Sequence, residues 1–105
     1  MILKNTITAA TQADGAQTID LDVFDEARLH QIQFSTSATP TAGTLTIAIK
    51  TPGASSYVNL SPALDLTNGS GLFQFWGFAE SIQFTPASFD ALKTYTVTVI
   101  SGIRG

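Results

Sequence analysis

A two-residue rhythm constrains this chain more than any other feature. In Thr44–Lys50, Leu45, Ile47 and Ile49 alternate with Thr44, Thr46, Ala48 and Lys50; over 94–99, Tyr95, Val97 and Val99 alternate with three threonines. That period sends one set of side chains to each face of an extended strand. No window of about 11 to 18 residues sustains the 3.6 period of a helix. Weaker alternation covers 2–8, 18–23, 28–35, 57–60, 72–78 and 81–85. Turn-forming residues separate these stretches: Asp14-Gly15, Pro40 to Gly43, Pro52-Gly53 and Asn68-Gly69-Ser70-Gly71. The last of these reads as a hairpin turn. About eight short strands punctuated in this way predict an all-β fold, an antiparallel sandwich of the jelly-roll or immunoglobulin-like kind. Residues 86–93 read as the corner between the last two strands, with Phe89 or Leu92 plugging the end of the sandwich. A single helical turn capped by Ser88 is the other reading.

Composition narrows the chemistry. The 105 residues form one domain, 1–105, by length. Five basic residues against eight acidic ones give a net charge of −3. Five scattered cations cannot make the basic footprint that nucleic acid requires. Zero cysteines exclude disulfides, thiolate metal sites and cysteine catalysis. With one histidine, a multi-histidine metal site cannot be built, and no cofactor is implied. No apolar run reaches the roughly 18 residues that span a bilayer, and the start carries no signal-peptide pattern. Charged residues are 12% of the chain, about half the usual share. Mean hydropathy is nevertheless positive, at +0.21. That combination points to surface meant to be buried against something.

The stretch Leu72-Phe73-Gln74-Phe75-Trp76-Gly77-Phe78 breaks the polar–apolar rule. Phe73 and Phe75 share one face; Leu72, Trp76 and Phe78 share the other. A strand apolar on both faces is expected to be covered on both. The cover is either residues 52–66 folded back or another subunit, and aromatic enrichment at interface cores favours the subunit. The interface residues are then Leu72, Trp76 and Phe78, or Phe73 and Phe75 if the faces are exchanged. Residues 1–4 and 102–105 are candidate arms onto a neighbour.

Other constellations are weaker. His30 is the only base available to a Ser–His–Asp triad, but no nucleophile elbow exists, so it reads as a surface or edge histidine. Asp20, Asp22, Asp25 and Glu26, with Asp14 nearby, hold oxygens that calcium could use, yet their spacing is not that of an EF-hand loop. They read as a solvated strand face and turn, and no metal is expected.

The C-terminal third runs Ile82-Gln83-Phe84-Thr85-Pro86, then a short corner, then Tyr95-Thr96-Val97-Thr98-Val99. This resembles the closing hairpin of small β-sandwich virion proteins of tailed bacteriophages: capsid decoration or cement proteins, head-fibre bases and tail-associated modules. The resemblance implies a structural virion protein, not an enzyme. It further implies a homo-oligomer, a trimer first, on other virion proteins such as the major capsid protein. No site residue carries over from it. The alternative is a receptor- or carbohydrate-binding module. There Trp76 and Tyr57 would stack on sugar rings, and Asn59, Gln74 and Gln83 would supply hydrogen bonds.

Overall fold

Strand pairing in the computed structural model, which describes residues 2–21, 27–37, 40–89 and 93–102, decides between the two sandwich types. Eight strands occur among the described residues: β1 (Ile2–Ala10), β2 (Gln17–Asp20), β3 (Arg28–Thr36), β4 (Thr44–Lys50), β5 (Val58–Asp65), β6 (Ser70–Gly77), β7 (Ser81–Ala87) and β8 (Tyr95–Gly102). They form two four-stranded antiparallel sheets, β1-β8-β3-β6 and β2-β7-β4-β5. First pairs with last, second with seventh, third with sixth and fourth with fifth, as in a long hairpin rolled up on itself. That is the jelly roll, not the immunoglobulin order.

The pattern of Gly, Pro and Asn correctly marks chain reversals but not what they join. β5 and β6 lie in different sheets, so Asn68-Gly69 is not a hairpin turn. A short 3-10 turn, Leu66–Asn68, carries the chain from one sheet to the other. Asp65 starts it by accepting from the Thr67 N–H at 3.0 Å and the Thr67 hydroxyl at 2.6 Å. The closing pair β7 and β8 is likewise a corner between sheets and not a hairpin. Phe89 plugs it: the side chain is buried, its ring meets Tyr95 edge to face at 5.9 Å, and its N–H donates to Gln12 Oε1 at 2.9 Å. Ser88 sits at φ 56°, outside any helix; Leu92 lies outside the described residues.

Alternation sorts the core. From the first sheet come Ile32, Phe34, Val97 and Val99; from the second come Ile19, Leu45, Ile47, Ile82 and Phe84. Registers place Ile19 beside Ile82 and Ile82 beside Ile49, so the apolar faces meet in rows. β2 ends at Asp20, earlier than the alternation implies, and β5 runs on to Asp65, well beyond residue 60. Residues 52–66 do not fold back over β6. Val58–Asp65 instead pairs with β4 in the opposite sheet.

Candidate interaction surface

β6 is the last strand of its sheet, bonded to β3 on one side. Its register with β3 is unbroken from Arg28↔Gly77 to Ser35↔Ser70. Phe73 and Phe75 point inward and pack half-buried against the core. Leu72 and Trp76 point outward and stand 56% and 53% exposed. The alternation of faces is as the sequence implies; burial on both faces is not. In a two-layer sandwich no second layer covers the outer face of either sheet, and β6 at the rim also lacks one lateral neighbour.

The outward face of this sheet is apolar across more than one strand. Leu29 on β3 lies directly opposite Trp76, and Ile100 on β8 lies beside Gln31, one pair further along. Leu29 and Ile100 are exposed, as is Phe78 just beyond β6. Of six exposed large apolar side chains among the described residues, only Val58 belongs to the other sheet. Between them Gln74 Nε2 donates to Gln31 Oε1 at 3.0 Å. Leu29 and Ile100 carry no signal in the sequence, since each is one apolar residue in an otherwise ordinary strand. Only the register gathers them beside Trp76.

The residues of a sugar platform do not share this surface. Gln74 and Trp76 are on the outer face of the first sheet. Asn59 and Gln83 flank Ala48 on the outer face of the second. Tyr57 is engaged there too, its hydroxyl 2.6 Å from Ser81 Oγ and its ring 5.6 Å from Lys50 Nζ.

At the Trp76 end, the inward face carries a polar row. His30 is 1% exposed, not a surface histidine, because β3 is a central strand and its even-numbered residues all face inward. Ser101 Oγ lies 2.7 Å from His30 Nδ1, and the Gly77 carbonyl 3.2 Å from Nε2. A carbonyl only accepts, so Nε2 carries the proton and the Ser101 hydroxyl donates to Nδ1. The imidazole stacks on Phe75 at 4.7 Å. Desolvation by burial holds its pKa below the usual value; the Arg28 charge acts the same way, against the Gly77 hydrogen bond. Arg28 is itself buried beside this row. His30 and Ser101 sit like a base and a nucleophile, but Ser101 is 0% exposed and no substrate can reach it. Its role is to satisfy a buried polar pair.

The acids are dispersed. Asp14 accepts from the Thr11 N–H at 2.8 Å in a capping box, and Asp20 ends β2 exposed. Asp22, Asp25 and Glu26 lie outside the described residues, as do Met1 and residues 103–105 of the candidate arms.

No known family model matches the chain, and no curated protein matches it in sequence. Solved structures do. A protein of the disulfide-linked pili that form Bacillus endospore appendages superposes with a TM-score of 0.59 at 14% identity, over 99% of this chain and 89% of that one. The SPBc2 prophage-derived protein YomS gives 0.53 at 12% identity, over 97% and 96%. These likenesses are of fold. A carbohydrate-binding module, CBM4, scores lower, at 0.45 and 14% identity over 93% and 77%.

Proposed function

We propose that this chain is a structural subunit that works by protein–protein association, a bacteriophage virion component of the capsid-decoration kind. The observation that carries the reading is the apolar outer face of the first sheet, where Trp76, Leu72, Leu29 and Ile100 stand exposed on rigid strands. Each 100 Å² of such surface removed from water contributes about 2.5 kcal/mol before the cost of lost rigid-body freedom, so association by burial needs several such units and no chemistry. The similar folds include a pilus protein and a prophage-derived protein, which accords with a role in assemblies. This chain has no cysteine, so the disulfide linkage of those pili has no counterpart in it. On this reading the protein is a homo-oligomer resident in the virion, seated on other virion proteins such as the major capsid protein.

A second reading, a carbohydrate-binding module, has one observation in its favour: exposed Trp76 lies on the same flat face as the Gln74–Gln31 amide pair. Two measurements separate the readings. Trp76→Ala is expected to weaken association by about 2 kcal/mol or more while the β-sheet circular dichroism persists. Titration with oligosaccharides is expected to leave Trp76 fluorescence unchanged. A saturable fluorescence response to a sugar, with association indifferent to Trp76→Ala, overturns the structural reading.

A further inference from the structure

The hydrogen-bond phase of the β3–β6 ladder shows what the free edge of β6 offers. Thr36 N–H donates to Gly69 O at 2.9 Å, directly opposite it in the same register. In an antiparallel ladder such bonded pairs alternate with unbonded ones. Gly71, Phe73, Phe75 and Gly77 therefore bond to β3. Ser70, Leu72, Gln74 and Trp76 turn their N–H and C=O groups to the open side. The Ser37 N–H to Thr94 O bond, at 2.9 Å on the other flank of β3, has the complementary phase. Among the described residues nothing bonds to that open side.

Sheet edges ordinarily carry a device that stops another chain from pairing with them. β1 slips register between Ile7 and Ala10, with Ala9 at φ 52°. β2 has only 4 residues and ends on Asp20. β5 slips register and contains Pro62, which has no N–H to give. β6 has none of these: its 8 residues, Ser70–Gly77, include no charge and no proline, and its register is continuous.

We infer that β6 pairs antiparallel with β6 of a second copy of this chain about a two-fold axis through Gln74, joining the two first sheets into one. This rests on the association reading above and gives it a partner. Parity demands that open-side residues meet open-side residues, and a Gln74 centre satisfies it. Leu72 then lies against Trp76 of the second copy on the outer face, and Phe73 against Phe75 of the second copy on the inner face. Apolar residues meet apolar ones, amide meets amide, and no like charges are brought together. The half-covered inner phenylalanines and the exposed outer pair gain their missing neighbour in one step. The contact is isologous and uses up the one unguarded edge among the described strands, so the assembly closes as a dimer and does not grow into a fibre. A two-fold pair takes the place of the trimer that the sequence alone suggests.

Light scattering behind size exclusion, across a dilution series of the full chain, is expected to show a dimer that dissociates on dilution. Gln74→Lys places two ammonium groups opposite each other across the axis and is expected to raise the dissociation constant tenfold or more. Gln33→Lys, on the same outer face but one strand in, is expected to change it little. Both side chains are solvent-exposed, so the fold tolerates either. In the otherwise cysteine-free chain, Gln74→Cys is expected to form an intermolecular disulfide, because its Cα atoms would lie about 5.5 Å apart. The Gln33→Cys pair, three strand spacings across and four residues along, or about 20 Å apart, is not. A trimer, a monomer at every concentration, or cross-linking equally efficient at both positions overturns edge pairing. Failure of the association reading shows separately, as sugar binding at Trp76.

Discussion

β5 and β6 are consecutive strands of 8 residues, each at the rim of its sheet, and each lends two half-buried apolar residues to the core: Leu60 and Leu64 from one, Phe73 and Phe75 from the other. Their inward duties are alike, but their outward characters are opposite. β5 pairs Leu45 with Leu64 but Ile47 with Leu60, a slip that breaks the ladder around Pro62, and it ends on Asp65. β6 keeps perfect register and presents Leu72, Gln74 and Trp76. Core packing does not require this difference, since both strands meet it. What separates them is whether the open edge is guarded, and guarding is a matter of what the strand is kept from touching.

The largest effect that probes this contrast concerns burial depth. Phe84 on central β7 is 0% exposed, and Phe84→Ala is expected to destabilise the fold by about 3 to 5 kcal/mol. Phe73→Ala, on rim strand β6, is expected to cost clearly less, because its site already opens to solvent on one side. Urea denaturation at a protein concentration low enough to keep the chain monomeric measures both. Equal losses would mean that β6 is as deeply cored as β7 and that its edge is not available to a partner.

Within β6 itself two glycines sharpen the point. A Cβ on Gly71 would collide with the Phe34 ring, whereas one on Gly77 would meet nothing within 4 Å. Gly71→Ala is expected to cost about 1 to 3 kcal/mol, by pushing Phe34 out of a packed core. Gly77→Ala is expected to be close to neutral. The same urea curves report both, and a neutral Gly71→Ala would show that the β3–β6 seam gives way easily and that β6 is too loosely held to template a second copy.

These contrasts also mark what the sequence discloses. Alternation over 44–50 and 94–99 is legible because each central strand has one wetter and one dry face, and those residues sort as the period implies except Ala48, which is 3% exposed although it lies on the outer face. The two-sided apolar run 72–78 is legible as an anomaly, and Leu72, Trp76 and Phe78 are the exposed apolar residues within it. Two things escape. Topology escapes because Asn68-Gly69 bends the chain equally well into a hairpin or between sheets; what it joins depends on long-range pairing. The burial of His30 escapes because Arg28, His30, Ile32 and Phe34 share a face whose direction the two polar members obscure. Ser101, its partner, is 71 residues away in sequence, and no local pattern connects them.

The narrowest effect is the pH response of that pair, and it bears on β6 through Phe75 and Gly77, which touch the His30 ring and its Nε2. Burial, with Arg28 nearby, keeps the folded-state pKa of His30 below its ordinary 6.5. The unfolded chain therefore takes up a proton first as the pH falls. The stability that the neutral imidazole contributes is complete above about pH 6.5 and declines below it until the folded-state value is passed. Ordinary carboxylates titrate lower, and Asp65, held down by hydrogen bonds from Thr67, lower still. Comparison with His30→Gln between about pH 7.5 and 5 thus reads the contribution of His30. The urea midpoint of the native chain is expected to fall across that interval, and that of His30→Gln to stay nearly level. Protonation would set a second cation beside Arg28 and remove the acceptor from the Ser101 hydroxyl, loosening the end of the β3–β6 seam where Gly77 and Trp76 lie. If edge pairing stabilises β6, the dimer should therefore weaken over the same interval in the native chain and not in His30→Gln. An equal pH slope in both would place the proton uptake elsewhere and detach this polar row from the behaviour of the open edge.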